Sequence, residues 1–198
     1  MAKLYYRFGT VSCGKTLALL AVAHKYERQG KIVVVVKPAV NNHGHGIDTV
    51  RSRAGLERKA DIVVRELADL GDRAAALIRE SDCVLVDESQ FLPPDAIDWL
   101  RLVAVNYDVP VIAWGLRTDF RRRVFPASQR LFELADVLEE VKTVCTFCRR
   151  RAVFSAWLEG RERLVLEGDP NQAGADDLTK FQPLCPHCFE RLAVRATA

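Results

Sequence analysis

Long apolar runs are missing from this sequence: none approaches the roughly 18 residues that a membrane-spanning helix needs. The first residues, Met1-Ala2-Lys3-Leu4, lead into strand-like sequence without an apolar leader or cleavage site. Excess charge is also small. A formal net charge of +3 gives no electrostatic reason to expect nucleic acid or an anionic membrane as a partner. Neither an internal repeat nor a low-complexity tract is present, which excludes a repeat array. These absences predict a cytoplasmic protein. Disulfides are rare in that compartment, so the six cysteines need another explanation.

What is present suits one sizeable core with a small appended module: 198 residues, 49% of them hydrophobic. Residues 4–8 (Leu-Tyr-Tyr-Arg-Phe) read as a short buried strand. From Thr16 to Arg28 apolar residues fall on most sides, as in a helix packed under a sheet, and Gly30 stands where a helix stops. Ile32 to Val36 is a β-branched run typical of a strand buried on both faces. Together these give strand–helix–strand, the unit of a parallel sheet. Residues 72–80 predict a helix and Cys83 to Val86 a third strand. Pro93-Pro94-Asp95 opens another helix, Val109 to Ala113 is a fourth strand, and residues 127–136 make a short helix. Residues 37–60, with Asn41-Asn42-His43-Gly44-His45-Gly46, are rich in turn formers and read as a mobile loop. After Lys142 the chain becomes short strand-like pieces, with a loop-like stretch at 169–177. The expected organisation is an α/β domain over residues 1–142, a parallel sheet with helices on both faces, and a smaller unit over 143–198.

Gly9-Thr10-Val11-Ser12-Cys13-Gly14-Lys15-Thr16 matches G-x-x-x-x-G-K-[ST] in full, between a predicted strand and a predicted helix. The glycines let the backbone curl so that several N–H groups face one phosphate, and the helix N-terminus adds a favourable dipole. Lys15 would reach the outer phosphates of ATP, and the Thr16 hydroxyl would ligate Mg²⁺. Cys13 reads as a small filler in the loop. The strand Val84-Leu85-Val86 ends in Asp87-Glu88. In phosphate-loop proteins an acid at this strand end holds Mg²⁺, which keeps much of its water and needs one or two carboxylates. With Asp87 on the metal, Glu88 is free to accept a proton from an attacking hydroxyl or water. In an extended strand end adjacent side chains point to opposite sides, which would separate the two tasks.

Four of the cysteines form two knuckles, Cys145-Thr146-Phe147-Cys148 and Cys185-Pro186-His187-Cys188. Four thiolates suit a closed, structural Zn²⁺ site that pins the long excursion 149–184 at its base. His187 is a possible substitute ligand, although the spacing favours the cysteines. Cys83, in mid-strand, is most simply a core residue.

Loop, acids and knuckles in this order resemble the type II thymidine kinases, the bacterial and cytosolic kind with a zinc-held lasso. Asp87-Glu88-Ser89-Gln90-Phe91, Lys37-Pro38-Ala39, and Gly115-Leu116-Arg117-Thr118-Asp119-Phe120 followed by Phe125 extend the resemblance over nearly the whole chain. It implies transfer of the γ-phosphate of ATP to the 5′-hydroxyl of thymidine, with deoxyuridine as an alternative acceptor and Glu88 as base. Ser89 and Gln90 would follow in the nucleotide site, and Phe91 in the nucleoside site. Leu116, Phe120 and Phe125 would line the nucleoside pocket, with Ser155 against the base. The lasso, with Phe181 near its end, would close over thymine through main-chain atoms. Homotetramers, sometimes dimers, are implied as well.

The family's acid and arginine after Lys-Pro-Ala read Asn41 and His43 here, and histidine is a weaker, pH-dependent phosphate ligand. Arg51 or Arg53 is a candidate replacement, with a solvated loop role favoured for both. The lasso's Val-Ile-Gly-Gly is replaced by Asn171-Gln172-Ala173-Gly174, and the tyrosine before the third cysteine by Phe181. Arg121-Arg122-Arg123 and Arg149-Arg150-Arg151 are expected to form a solvated face. Two other functions compete: a phosphate-loop NTPase whose zinc module serves another purpose, and a nonenzymatic nucleic-acid-binding module built on the knuckles.

Overall fold

The inner strands are apolar at nearly every position because both of their faces are covered. The computed structural model describes residues 1–40, 46–160, 163–168 and 180–196. In chain order it begins β1 (Leu4–Gly9), α1 (Lys15–Arg28), β2 (Val33–Pro38), β3 (Thr49–Arg51), β4 (Glu57–Lys59), β5 (Ile62–Val64), α2 (Asp72–Arg79) and β6 (Cys83–Val86). It continues with α3 (Pro94–Asn106), β7 (Val111–Leu116), α4 (Pro126–Leu134) and β8 (Val137–Val141). Six strands form one all-parallel sheet in the order β5-β2-β6-β7-β1-β8. Strand alternation distributes the core over two layers. Val33 and Val35 of β2 pack with Leu19, Leu20 and Ala23 of α1, on the same side as Cys83 and Trp114. Val34 and Val36 pack on the opposite side with Ile78 of α2 and with Ile97 and Leu100 of α3. This is the expected parallel sheet with helices on both faces, and Cys83 is the expected core residue.

The carboxyl ends of β1, β2, β6 and β7 lie along one edge of the sheet, the place where open α/β sheets bind ligands. One strand, β7, separates the phosphate-loop strand β1 from the acidic strand β6. Gly30 takes the left-handed backbone (φ 73°) that ends α1, as anticipated.

Several elements differ from expectation. α1 buries one side only, with Leu17 exposed, because a single sheet face lies beneath it. Asn41, His43 and the rest of 41–45 lie outside the described residues, but 46–60 is not a loop: it carries the antiparallel hairpin β3–β4. That hairpin is held by ion pairs more than by apolar alternation, with Lys59 on Asp48 and Arg58 on Glu27 and Asp61. The fourth predicted strand begins two residues later and runs to Leu116. β5 and the half-exposed edge strand β8 are additional.

Beyond residue 142, β9 (Phe154–Glu159), β10 (Arg163–Val165) and β11 (Phe181–Leu184) form an antiparallel sheet in the order β10-β9-β11. A helix not anticipated, α5 (Pro186–Ala196), packs its Phe189 and Leu192 with Leu158, Leu164 and Leu184. The Arg121-Arg122-Arg123 triplet is not simply a solvated face. The Arg121 guanidinium donates to the Gly168 carbonyl (3.2 Å). Arg122 pairs with Glu190 (2.5 Å) and lies over the Phe189 ring (4.7 Å). In the other triplet Arg151 pairs with Glu140. These contacts fasten the chain beyond residue 142 to the parallel sheet and the segment that follows β7.

Candidate active site

The phosphate loop leaves β1 through a point with no room for a side chain. A Cβ on Gly9 would lie 2.6 Å from Cys13 Sγ and 2.7 Å from the Val141 carbonyl oxygen. Cys13 is thus the packing residue foreseen for it. Ser12 (φ 60°) and Gly14 (φ 84°) take left-handed backbones that curl the loop into the first turn of α1. Lys15 is buried and donates to the Thr10 carbonyl (2.7 Å), with Cys13 Sγ at 3.6 Å. The Val11 N–H donates to Ser155 Oγ (3.1 Å). Ser155, expected against the nucleoside base, therefore braces the phosphate loop as well as lining the cavity.

Asp87 is buried at the end of β6 and accepts from the Thr16 hydroxyl through both carboxylate oxygens (3.1 and 3.2 Å). Burial, reinforced by the Glu88 charge, pushes its carboxyl up to about 7, against the lowering influence of Thr16 and Lys15. The Asp87 carboxylate lines the cavity. Together with the Thr16 hydroxyl it is a fitting oxygen pair for Mg²⁺.

Glu88 is not the extended residue that strand alternation implied. It takes a left-handed backbone (φ 48°), a conformation that costs a residue other than glycine on the order of 1–3 kcal/mol and clusters at functional sites. The turn carries the chain from β6 into the 3₁₀ segment Ser89–Phe91. Both carboxylates line the same cavity, separated by the turn rather than by strand pleating. Gln90, buried behind them, donates through Nε2 to Glu88 Oε2 (2.5 Å) and accepts the Leu116 N–H at Oε1 (2.9 Å). Gln90 therefore ties the carboxylate to the end of β7. Ser89 Oγ is buried without a hydrogen-bond partner among the described residues.

The cavity measures about 470 Å³. Lys15, Thr16, Asp87 and Glu88 line it together with Phe91, Leu116, Phe120, Phe125, Ser155 and Phe181, so most of the anticipated site converges here. Phe91 and Phe125 meet edge to face at 5.5 Å. Phe120 packs edge-on against Trp157 at 5.0 Å, with Phe181 at 6.3 Å. Gly9, Thr10, Cys13, Ser89 and Gln90 support the lining from behind. Asn171-Gln172-Ala173-Gly174 lie outside the described residues. Arg53, for which a solvated role was favoured, lines the cavity and donates to Ser12 Oγ. Buried Lys37 donates to the carbonyls of Ile47 (2.7 Å) and Val40 (3.2 Å), and burial lowers its pKa despite the charges of Asp87, Glu88 and Asp48.

The four knuckle cysteines converge, with all Sγ atoms within 4.8 Å of one another. Cys148 Sγ and Cys185 Sγ are 3.6 Å apart, close to the edge of about 3.8 Å expected for a tetrahedron with Zn–S bonds of about 2.3 Å. The donor set fits Zn²⁺. His187 is exposed and outside the cluster, as the spacing suggested.

Phosphate loop, buried acid, second carboxylate and aromatic recess around one cavity define a phosphotransferase site. The thymidine kinase family model matches residues 2–193. Thymidine kinases from Streptococcus pyogenes serotype M3 and Streptococcus agalactiae serotype Ia are 39% and 38% identical to this chain, each over 185 residues covering 93% of it and 95% of the relative. The thymidine kinase from Streptococcus gordonii is 38% identical over 191 residues, 96% of this chain and 97% of its own. The chain belongs to the thymidine kinase family.

Proposed function

We propose that this protein transfers the γ-phosphoryl group of ATP to the 5′-hydroxyl of thymidine, giving thymidine 5′-monophosphate and ADP, with deoxyuridine as a further acceptor. One observation carries the reading. A single cavity joins the phosphate loop and two carboxylates to an aromatic recess of Phe91, Phe120, Phe125 and Phe181, large enough for a nucleoside base. The backbone of residues 9–16 cradles the phosphates, and Lys15 turns from the Thr10 carbonyl to the outer phosphates. Thr16 and Asp87 would hold Mg²⁺, which would offset charge on the phosphates. Glu88, aimed by Gln90, orients the 5′-hydroxyl and takes its proton as the new O–P bond forms and the β,γ-bridging O–P bond breaks.

The remaining parts of the reading follow the family. Cys145, Cys148, Cys185 and Cys188 would hold a structural Zn²⁺, which would pin the segment 143–198 as a unit distinct from 1–142. The enzyme works as a homotetramer or homodimer in the cytoplasm. Among the described residues no helix is long and apolar enough to cross a membrane.

The test is turnover of a nucleoside panel with Mg·ATP by the zinc-loaded protein and by Glu88→Gln. Thymidine should be converted to its monophosphate. Glu88→Gln keeps size and hydrogen bonding but loses basicity, so kcat should drop by about 10²–10⁴-fold with ATP affinity little changed. No turnover of any pyrimidine deoxynucleoside would refute the function, and near-parental kcat in Glu88→Gln would place the base elsewhere.

A further inference from the structure

We propose that Arg53 is a second phosphate-binding cation of this site, leaving Ser12 to clamp the γ-phosphoryl group of the bound nucleotide; the role rests on the kinase reading of the cavity.

Arg53 occupies the turn of the β3–β4 hairpin, which is built to hold its tip in place. The Ser52 N–H donates to the Leu56 carbonyl (2.8 Å) and the Gly55 N–H to the Ser52 carbonyl (3.0 Å). Gly55 supplies the left-handed backbone (φ 88°) that closes the turn. Below it, Val50 is buried in the α1 side of the core. Arg58 fastens β4 to Glu27 Oε1 (2.7 Å), Asp61 Oδ2 (3.0 Å) and the Val33 carbonyl (3.1 Å). A hairpin anchored on both strands brings a residue 41 positions away onto the phosphate loop, where Arg53 Nη1 donates to Ser12 Oγ.

A guanidinium carries five N–H donors, and this one makes no other hydrogen bond or ion pair among the described residues. The hydroxyl it rests on is a neutral acceptor. A phosphate oxygen would replace that contact with a charge-assisted bond roughly twice as strong. Burial lowers the Arg53 pKa, and the charge of Glu88 opposes the effect, so the guanidinium is partly desolvated within the field of that carboxylate. Among the described residues three cationic side chains line the cavity: Lys15, Arg51 and Arg53. Arg51 is engaged by Glu57 (3.7 Å). Arg53 is thus the cation beside Lys15 best placed to meet charge on the migrating group, where preorganised donors act most strongly on rate.

A purely structural Arg53 would brace Ser12 and support every nucleotide equally. Calorimetric titrations of Mg·ADP and of the non-hydrolysable analogue Mg·AMPPNP therefore separate the two roles. Arg53→Gln retains a donor for Ser12 but no charge, and Arg53→Lys retains charge without the planar fork. We expect Arg53→Gln to weaken AMPPNP by tenfold or more and ADP by no more than about twofold. Its kcat with thymidine should fall by about 10²–10³-fold, and Arg53→Lys should recover only part of that loss. Melting temperatures close to the parent's accompany this result, since the residue sits on an exposed turn. Equal weakening of both nucleotides, or parental AMPPNP affinity, overturns the proposal. Failure of the parent protein to phosphorylate thymidine would defeat the kinase reading by itself, and the two titrations would still decide the role of Arg53.

Discussion

Gly115→Ala is a test of how the Glu88 carboxylate, the proposed base, is held, made at a residue outside the cavity lining. Gly115 lies in β7, a central strand, and the backbone there accepts alanine. Space does not. A Cβ at 115 would stand 2.5 Å from Ser89 Oγ, about 0.9 Å closer than ordinary contact begins, 3.0 Å from Gln90 Oε1 and 3.2 Å from the Gln90 backbone nitrogen. Ser89 can swing away without losing a bond, because its hydroxyl has no partner among the described residues. Gln90 has no such freedom. Moving Oε1 lengthens its bond to the Leu116 N–H, and moving the side chain drags Nε2 from Glu88. Overpacking of this kind costs about 1–3 kcal/mol. The narrower unfolded ensemble of alanine returns about 0.4–1 kcal/mol. A net loss of about 1–2 kcal/mol should lower the melting temperature by roughly 2–8 °C in a domain of this size. Displacing the base by a fraction of an ångström should cost about 10–100-fold in kcat, while ADP affinity stays near parental. Scanning calorimetry, steady-state kinetics and ADP titration read the three quantities. The Ser89→Ala/Gly115→Ala double variant removes only the 2.5 Å contact, so it should regain a small part of the stability and none of the turnover, since the Gln90 clash remains. Parental kcat in a destabilised Gly115→Ala protein would refute the argument that Gln90 positions Glu88.

Two further outcomes follow from the same geometry. Lys15→Ala removes a buried cation from the phosphate loop and should lower kcat by several orders of magnitude at nearly unchanged melting temperature; a mutant of near-normal turnover in the thymidine assay would dismiss the assignment. Elemental analysis of protein purified reduced and without chelator should give one Zn²⁺ per chain. Stripping it should raise the KM for thymidine and lower the melting temperature before it alters ADP binding, and a zinc content near zero in active protein would exclude the site.

The phosphate loop was legible because its chemistry is local: eight consecutive residues carry the glycines, the lysine and the hydroxyl, and β1 and α1 flank them as anticipated. The same holds for β2 and β6, whose β-branched or apolar runs signal burial on both faces. What escaped is nonlocal or electrostatic. The β3–β4 hairpin buries Val50 and otherwise rests on Asp48, Arg58 and Lys59, so it has no apolar period to read. β8 sits at the sheet edge with Glu139 and Glu140 in its middle, and shows no strand pattern either. In α5 a signal existed: Phe189 and Leu192 are spaced for one helix face, behind a proline at the first position, but the metal knuckle claimed the same residues. Arg53 is one of the two arginines the sequence offers as a phosphate ligand, but its contact with Ser12 depends on a fold that closes 41 residues of sequence, and no spacing chooses it over Arg51.

The cysteine cluster lies outside the transfer cavity, yet its unit reaches the chemistry by two routes. β9 leaves the first knuckle and presents Ser155 to the Val11 N–H, inside the phosphate loop. β7 ends on Leu116 at the cavity, and the segment after it carries Phe120 into the cavity and then docks Arg122 on Phe189, the residue next to Cys188. Between them, Asp119 is buried and fixed at both oxygens, by Arg121 (2.8 Å) and by the Arg123 N–H (2.8 Å). A loop fixed at Asp119 and stacked at Arg122 cannot shift its Phe120 without disturbing the packing around the second knuckle. The cysteine cluster and the aromatic recess are therefore two ends of one packed connection, while the phosphate loop touches that part of the chain through Ser155. Loss of metal should for that reason be felt first by the nucleoside and only afterwards by the nucleotide, an order that a site serving stability alone would not impose.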